Sequence, residues 1–534
     1  VVGIPSGGVV QIHPTPHEKV RPGGILYFSI RVFMLSALGL WVTFGLVFTG
    51  IGATLTRASL WRAFWYGWLL TIVTGQIWNL LAPWNSLAQI SVFSVGVWGI
   101  WHNRHWLRQQ LQTSQAALLV LLVIWVLLAN GAVGAQSQES VGFDTGLYHT
   151  QSVRWIQGYA AVPGLGNLHE RLAFNNAFAF YPALQMSGGY HATGYGLAYG
   201  LLFGVAVAGF ADSILRRVKH WPIAVILLVL TGFECVVAPI NGLMTDPAIW
   251  LLGALLFWEV LQDTPDRRFI WLLAGVMIAI KLSAVVIALG LAVLTLRKRK
   301  LEWAMVWSFS ALIPATLRSI IVSGYAVFPI AITRIPTPWT MPMERVQHTA
   351  DWIASWAKTS TAPPDVVLNN PNWIQDYFIW RSVHGVSILL YWLPVMMTLV
   401  IGLYLIRQHN PIRWRLLSIV LMATVYWFLT APNIRFAGVV LWLIPLTLSL
   451  SLVRPLRIWT PALVLFVVVT VVRWPIHAPG EPLPTLPTQA RYEAGIFTAQ
   501  AQGQCWDAPL PCRPGNKALP QWGEPGNVAA GFVF

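Results

Sequence analysis

One heptapeptide gathers more reactive side chains than any other stretch of this chain. Phe143-Asp144-Thr145-Gly146-Leu147-Tyr148-His149 sets a carboxylate, a phenol and an imidazole within about one and a half helical turns. If Asp144 opens a helix, Tyr148 lies one turn on and His149 follows it. A carboxylate so placed can act as a general base or hold a divalent cation. The ordinary alternative is an N-cap. Downstream, the turn-rich run Val162-Pro163-Gly164-Leu165-Gly166-Asn167 leads to His169, Glu170 and Arg171, which can line a polar cavity or merely solvate a loop. Five more ionisable residues stand within or beside apolar runs: Glu234, Asp246, Lys281, Arg318 and Arg435. An ionised group at membrane depth is costly, so each needs a reason. The alternative for each is snorkelling or a structural ion pair. No GxGxxG fingerprint, P-loop, HExxH sequence or zinc-ligand spacing occurs, so no motif points to those chemistries.

The elements that must position these residues are membrane spans. Of 534 residues, 56% are hydrophobic and only 10% charged, with a mean hydropathy of +0.61. A soluble chain carries about 25% charged residues. Apolar runs long enough to cross a bilayer recur from end to end, near 32–54, 63–82, 84–101, 116–134, 192–213, 221–240, 246–262, 269–296, 302–325, 385–406, 416–431, 436–453 and 458–473. The net charge of +15 does not indicate nucleic acid, because the basic residues sit in short clusters between spans. Many of the 30 Trp fall at segment ends, where the membrane interface favours them.

Charge also sets the orientation. Arg57/Arg62, Arg104/Arg108, Arg216/Arg217/Lys219, Arg267/Arg268, Arg297/Lys298/Arg299/Lys300, Arg407/Arg413/Arg415 and Arg454/Arg457 mark cytoplasmic loops. Alternation then fails once, because both ends of 269–296 carry a cytoplasmic signal. Two short passes bent near Lys281-Leu282-Ser283 resolve it and place Lys281 at the outer surface; a single tilted helix is the alternative. The expected fold is therefore an all-α bundle of about 12 to 14 spans. The loops 135–191 and 329–384 and the tail 474–534 fall on the outer side. The polar, basic segment 1–31 conflicts with this alternation, and a start further in, at Met34, would remove the conflict. Cys505 and Cys512 are close in sequence in the outer tail, where an oxidising compartment permits a disulfide. Cys235 lies in an apolar run and reads as core. Asp144, Asp246, Lys281, Arg318 and Arg435 then share one leaflet, whereas a transporter more often places such groups near the midplane.

FDTGLYH, VPGLGNLHERLAFN, LRSIIVSGYAVFP (317–329), APNIRF (431–436) and QCWDAPLPC (504–512) together resemble an uncharacterised family of bacterial multispan membrane proteins, from about residue 76 to the end. More distantly, the layout resembles the GT-C superfamily, polytopic glycosyltransferases that take a sugar from a polyprenyl-phosphate carrier. The GT-C resemblance implies a core of 116–473 with interfacial helices in its outer loops, preceded by added spans over 32–115. Asp144 falls at the acidic position of the first outer loop and Lys281 at the bend of a short helix pair. Two departures stand out. Asp144 lacks an adjacent acid, and the fourth motif has Asn433 and Ile434 where Asp and Pro are usual.

The resemblance implies an inverting transfer of sugar from a polyprenyl-phosphate donor to a cell-envelope acceptor, at the outer face of the bacterial inner membrane. Asp144 would be the base, assisted by Tyr148, His149 or a second acid, Asp246. Arg435, Arg318 and Lys281 would bind the donor phosphate. If a divalent metal takes part, Asp144 and Asp246 are its expected ligands. Membrane lipid is the expected partner and nucleic acid is not. A lipid or polysaccharide transporter and a non-catalytic envelope-assembly protein are the rival functions.

Overall fold

The computed structural model describes residues 24–134, 142–186, 197–238, 240–296, 303–359, 362–381, 387–473, 490–499, 503–506, 508–515 and 520–534. The segment 1–23 and the basic run 297–300 lie outside the described residues. The protein is mostly α-helical, with several long apolar helices packed as a multispan bundle. By length and composition alone, five described helices can cross a membrane, or six if Arg104–Thr113 and Gln115–Gly131, bent by 80°, are one span.

The apolar runs become helices because nothing in them satisfies backbone groups except the i to i−4 ladder. Their ends are set by local chemistry. The Ser59 hydroxyl accepts from Arg62 N at 3.1 Å and opens Leu60–Asn79. Asn85 does the same for Ser86–His102, and Asp266 for Arg267–Ile280. Gly24–Ala53 packs against both of the next two helices through small residues. A Cβ at Gly67 would meet Phe48 O at 1.8 Å, and one at Gly99 would meet Gly50 O at 2.1 Å. Backbones this close are typical of helices that associate inside a membrane. A single aromatic-rich core runs through the bundle, with Trp41, Trp68, Trp84 and Tyr199 fully buried.

The apolar segment 269–296 is not one helix. Arg267–Ile280 ends at Lys281, whose backbone is extended (φ −153°, ψ 120°), and a helical turn at Leu282–Ala284 leads into Val285–Val293. The break falls at the bend that charge alternation requires.

The two ends of the bundle differ. One end carries short connections and simple ion pairs. Arg62 meets Glu259 at 2.7 Å, Arg216 meets Asp212 at 2.8 Å, and Lys219 meets Asp263. The other end is covered by long loops that cross one another. Asn79 Nδ2 donates to Tyr159 O at 2.9 Å, Gly164 N to Ile321 O at 2.9 Å, and Trp339 Nε1 to Ile320 O at 3.2 Å. The tail adds what an all-α expectation lacks. Ala490–Glu493 and Ile496–Ala499 pair antiparallel, and Cys512–Pro514 joins the second strand in parallel. Gln521–Trp522 pairs with Phe532–Val533. Cys505 and Cys512 are disulfide-bonded, with Cα atoms 6.0 Å apart.

Candidate functional site

Asp144 does not cap a helix. Its backbone is helical, its side chain makes no cap hydrogen bond, and the helix continues through a wide turn, Thr145–His149, into Thr150–Gly158. Such wide turns recur at functional sites because they push side chains out of the regular spiral. The freed carboxylate reaches Arg435, whose Nη2 donates to Asp144 Oδ2 at 3.3 Å, across 291 residues of sequence. Arg435 Nε also lies 3.3 Å from Asp246 Oδ2. The Lys281 ammonium donates to the other oxygen of Asp246. Asp144, Arg435, Asp246 and Lys281 therefore form one continuous chain of alternating charge.

Four local devices hold this chain of charges in place. Asp246 is the first residue of Asp246–Val260, where the helix dipole favours an acid. The turn before it is anchored by Tyr199 OH, which donates to Met244 O, and by Leu243 N, which donates to Thr145 Oγ1 at 3.1 Å. The second bond ties the Asp246 turn directly to the Asp144 segment. Lys281 sits where the helix is broken, so its ammonium is free to turn toward Asp246. Arg435 lies in the short helix Ile434–Ala437, opened by Asn433, whose side-chain oxygen accepts from Arg435 N at 3.1 Å. The amide at 433 thus fills a capping role that an Asp would also fill.

Aromatic rings close the cluster on one side. Lys281 Nζ lies 4.1 Å from the Phe436 ring centroid, and Arg435 Cζ lies 5.2 Å from that of Trp356 and 5.5 Å from that of Phe436. Cations over ring faces gain electrostatically where water is scarce. Trp356 comes from Met343–Lys358, in the second long loop. The Ala431–Phe436 turn is fixed in turn by Tyr377, whose hydroxyl donates to Pro432 O.

Tyr148 and His149 stand beside the cluster, their ring centroids 4.1 Å apart. Burial holds the His149 imidazole down to about 4, against the opposing pull of Asp144 and Asp246, so it is neutral at pH 7. Burial, and next the Asp144 carboxylate, push the Tyr148 phenol up, so it stays protonated. His149 is thus a neutral imidazole and Tyr148 a protonated phenol beside the cluster.

Arg318 is placed differently. It is 5% exposed, and its guanidinium donates from Nε to Asn79 Oδ1 at 3.0 Å and from Nη1 to Asn175 Oδ1. Its Cζ lies 5.5 Å from the Phe180 ring centroid. Among the described residues it shares no ion pair with the four-charge chain, and two of its five N–H groups go to neutral amides. Glu234 lies at the end of Trp221–Val237, half-buried, with no hydrogen bond or ion pair described for its carboxyl.

Among the described residues, no group of three or more His, Cys, Asp or Glu side chains is gathered as a metal would need. Asp144 Oδ2 meets Arg435, and the two oxygens of Asp246 meet Lys281 and Arg435. Phe436, Trp356, Asn79 and Asn175 complete the two arginine seats together with Asn433, and of these only Asn433 was singled out in the sequence. Asn433 and Phe436 lie inside APNIRF and Asn175 closes VPGLGNLHERLAFN, whereas Asn79 and Trp356 lie outside the quoted motifs.

A family model described as "Domain of unknown function (DUF8201)" matches residues 26–442. The chain belongs to this family. No curated protein and no solved structure matches it. All four residues of the charge chain fall inside the stretch matched to DUF8201, and the disulfide-closed tail lies beyond it.

Proposed function

We propose that this DUF8201 member is a membrane glycosyltransferase-like enzyme. It takes a sugar from a polyprenyl-phosphate donor and passes it to a cell-envelope acceptor, at the outer face of a bacterial inner membrane. One observation carries the proposal: Asp144, Asp246, Lys281 and Arg435, from four distant stretches of chain, converge into one connected cluster. The GT-C-like layout supports it.

The mechanism follows from the charges. In the resting cluster two acids balance two bases, so an incoming phosphate gains only by displacing a carboxylate. Arg435 is the group to be shared, because a guanidinium can hold a phosphate by two parallel bonds. When Arg435 turns to the donor phosphate, the Asp144 carboxylate is released to accept a proton. Asp144 then takes the proton of an acceptor hydroxyl as that oxygen attacks the anomeric carbon. The bond from that carbon to the phosphate oxygen breaks, with inversion. Arg435 and Lys281 stabilise the charge that grows on the departing polyprenyl phosphate.

Charge balance also favours a second function, a purely structural clamp in an envelope assembly. Sugar transfer from a radiolabelled polyprenyl-phosphate sugar by the purified protein in nanodiscs separates the two. Transfer by wild type that is lost in Asp144→Asn supports the enzyme. Transfer unchanged in Asp144→Asn removes the base, and no transfer with any donor leaves the clamp.

A further inference from the structure

The segment that carries Asp144 is held from outside by the tail. Gln504 Nε2 donates to Phe143 O at 3.0 Å, and Trp506 N to Gly146 O at 3.0 Å. In return, Gln151 Nε2 donates to Trp506 O at 2.7 Å and to Ala508 O at 3.1 Å, and Arg154 Nη1 donates to Ala508 O at 2.6 Å. These bonds flank Asp144 and continue onto the following helix, Thr150–Gly158, as far as Arg154. The Trp506 indole packs against Gly146, where a side chain would collide with it. A Cβ built at Gly146 would fall 2.1 Å from the Trp506 ring. On its other side the same segment is tied to the Asp246 turn through Thr145.

The grip depends on how Trp506 is presented. Its backbone is left-handed at φ 39°, which L side chains rarely adopt and which persists only where the surroundings impose it. The neighbouring Cys505 is disulfide-bonded to Cys512, and Cys512 begins a strand paired to Phe497. Ala508 N donates back to Cys505 O at 2.8 Å, closing the turn. Cys505, Cys512 and Ala508 are all buried together. This whole device lies outside the stretch matched to the family model.

We infer that Trp506 is a positioning residue: the disulfide-closed turn 505–512 presses its indole onto Gly146 and so fixes the carboxylate of Asp144 against Arg435. The catalytic consequence rests on the function proposed above, whereas the mechanical one does not. Hydrogen exchange of the full chain in nanodiscs reads the mechanical part. Trp506→Ala should speed exchange over 143–158 about tenfold through local opening, and leave Leu197–Leu215 unchanged. Trp506→Phe should restore most of the protection. Dithiothreitol added to folded wild type should reproduce the Trp506→Ala pattern without a substitution. Gly146→Ala should do so too, and should add nothing on top of Trp506→Ala. Protection of 143–158 that survives both Trp506→Ala and reduction overturns the inference, whether or not any sugar is transferred. Where wild type transfers sugar, Trp506→Ala should lower kcat about tenfold at similar KM, with Trp506→Phe restoring it, as expected of lost preorganisation. An unchanged kcat alongside faster exchange would overturn the positioning of Asp144 and leave the proposed function standing.

Discussion

Two arginines, Arg318 and Arg435, sit in the loop-covered half of the molecule, and their surroundings differ in kind. Arg318 is sealed in. Two neutral amide oxygens and an aromatic face hold it, and it cross-links the end of Leu60–Asn79, the turn at Asn175 and Val306–Ser323. Arg435 has a side chain 34% exposed and faces two carboxylates and two rings. The difference is one of exchangeability. Amides buried around a cation cannot be replaced by another ligand without undoing the fold. Carboxylates on a partly open cation can give way to a phosphate. Under the proposed function, Arg318 holds the structure and Arg435 exchanges partners.

The largest effect expected from this contrast is on chemistry. Arg435→Gln should lower sugar transfer about a hundredfold or more, as the loss of a charge-stabilising donor does elsewhere, while the protein still folds. The measurement is initial rate in nanodiscs beside a thermal-unfolding control. Next is Arg318→Met, which strips two buried amide oxygens of their donor. A cost of about 3 kcal/mol is expected, read as a lower unfolding temperature, with residual folded protein still active. Equal activity losses for the two substitutions, at equal stability, would break the comparison.

A smaller effect concerns pH. His149 is neutral in the folded protein, with its imidazole held down to about 4 against an ordinary 6.5. Its contribution is fully present above pH 6.5 and is lost as pH falls toward 4, because the unfolded chain then binds the proton first. The loss is on the order of 3 kcal/mol. His149→Phe should flatten thermal stability between pH 6.5 and 4 relative to wild type. The smallest effect is at the opposite end of the bundle. Lys219 and Asp263 are both more than half exposed, so Lys219→Ala should change stability by less than about 1 kcal/mol.

Much of this was legible in the sequence, and the reasons are particular. Each apolar run became a helix because hydrocarbon leaves the backbone no other partner. The break at Lys281 was legible because basic residues flank both ends of 269–296, a conflict that a bend there removes. The meeting of Asp144 with Arg435 was legible only as shared sidedness. Contact across 291 residues has no local signature. The seat of Arg318 was hidden because Asn79 and Asn175 carry no charge and lie far from Arg318 in sequence. The tail strands were missed because two to four residues are too few to show an alternating pattern. The role of Trp506 depends on a glycine in another loop, so neither residue signals it alone.

The most direct measurement is the binding of a sugar-free polyprenyl phosphate to the protein in nanodiscs, comparing wild type, Arg435→Gln and folded Arg318→Met. The account predicts binding at least about tenfold weaker in Arg435→Gln and near wild type in Arg318→Met, since of the two arginines Arg435 is the one that faces carboxylates a phosphate can replace. Undiminished binding in Arg435→Gln, with loss in Arg318→Met, would contradict it.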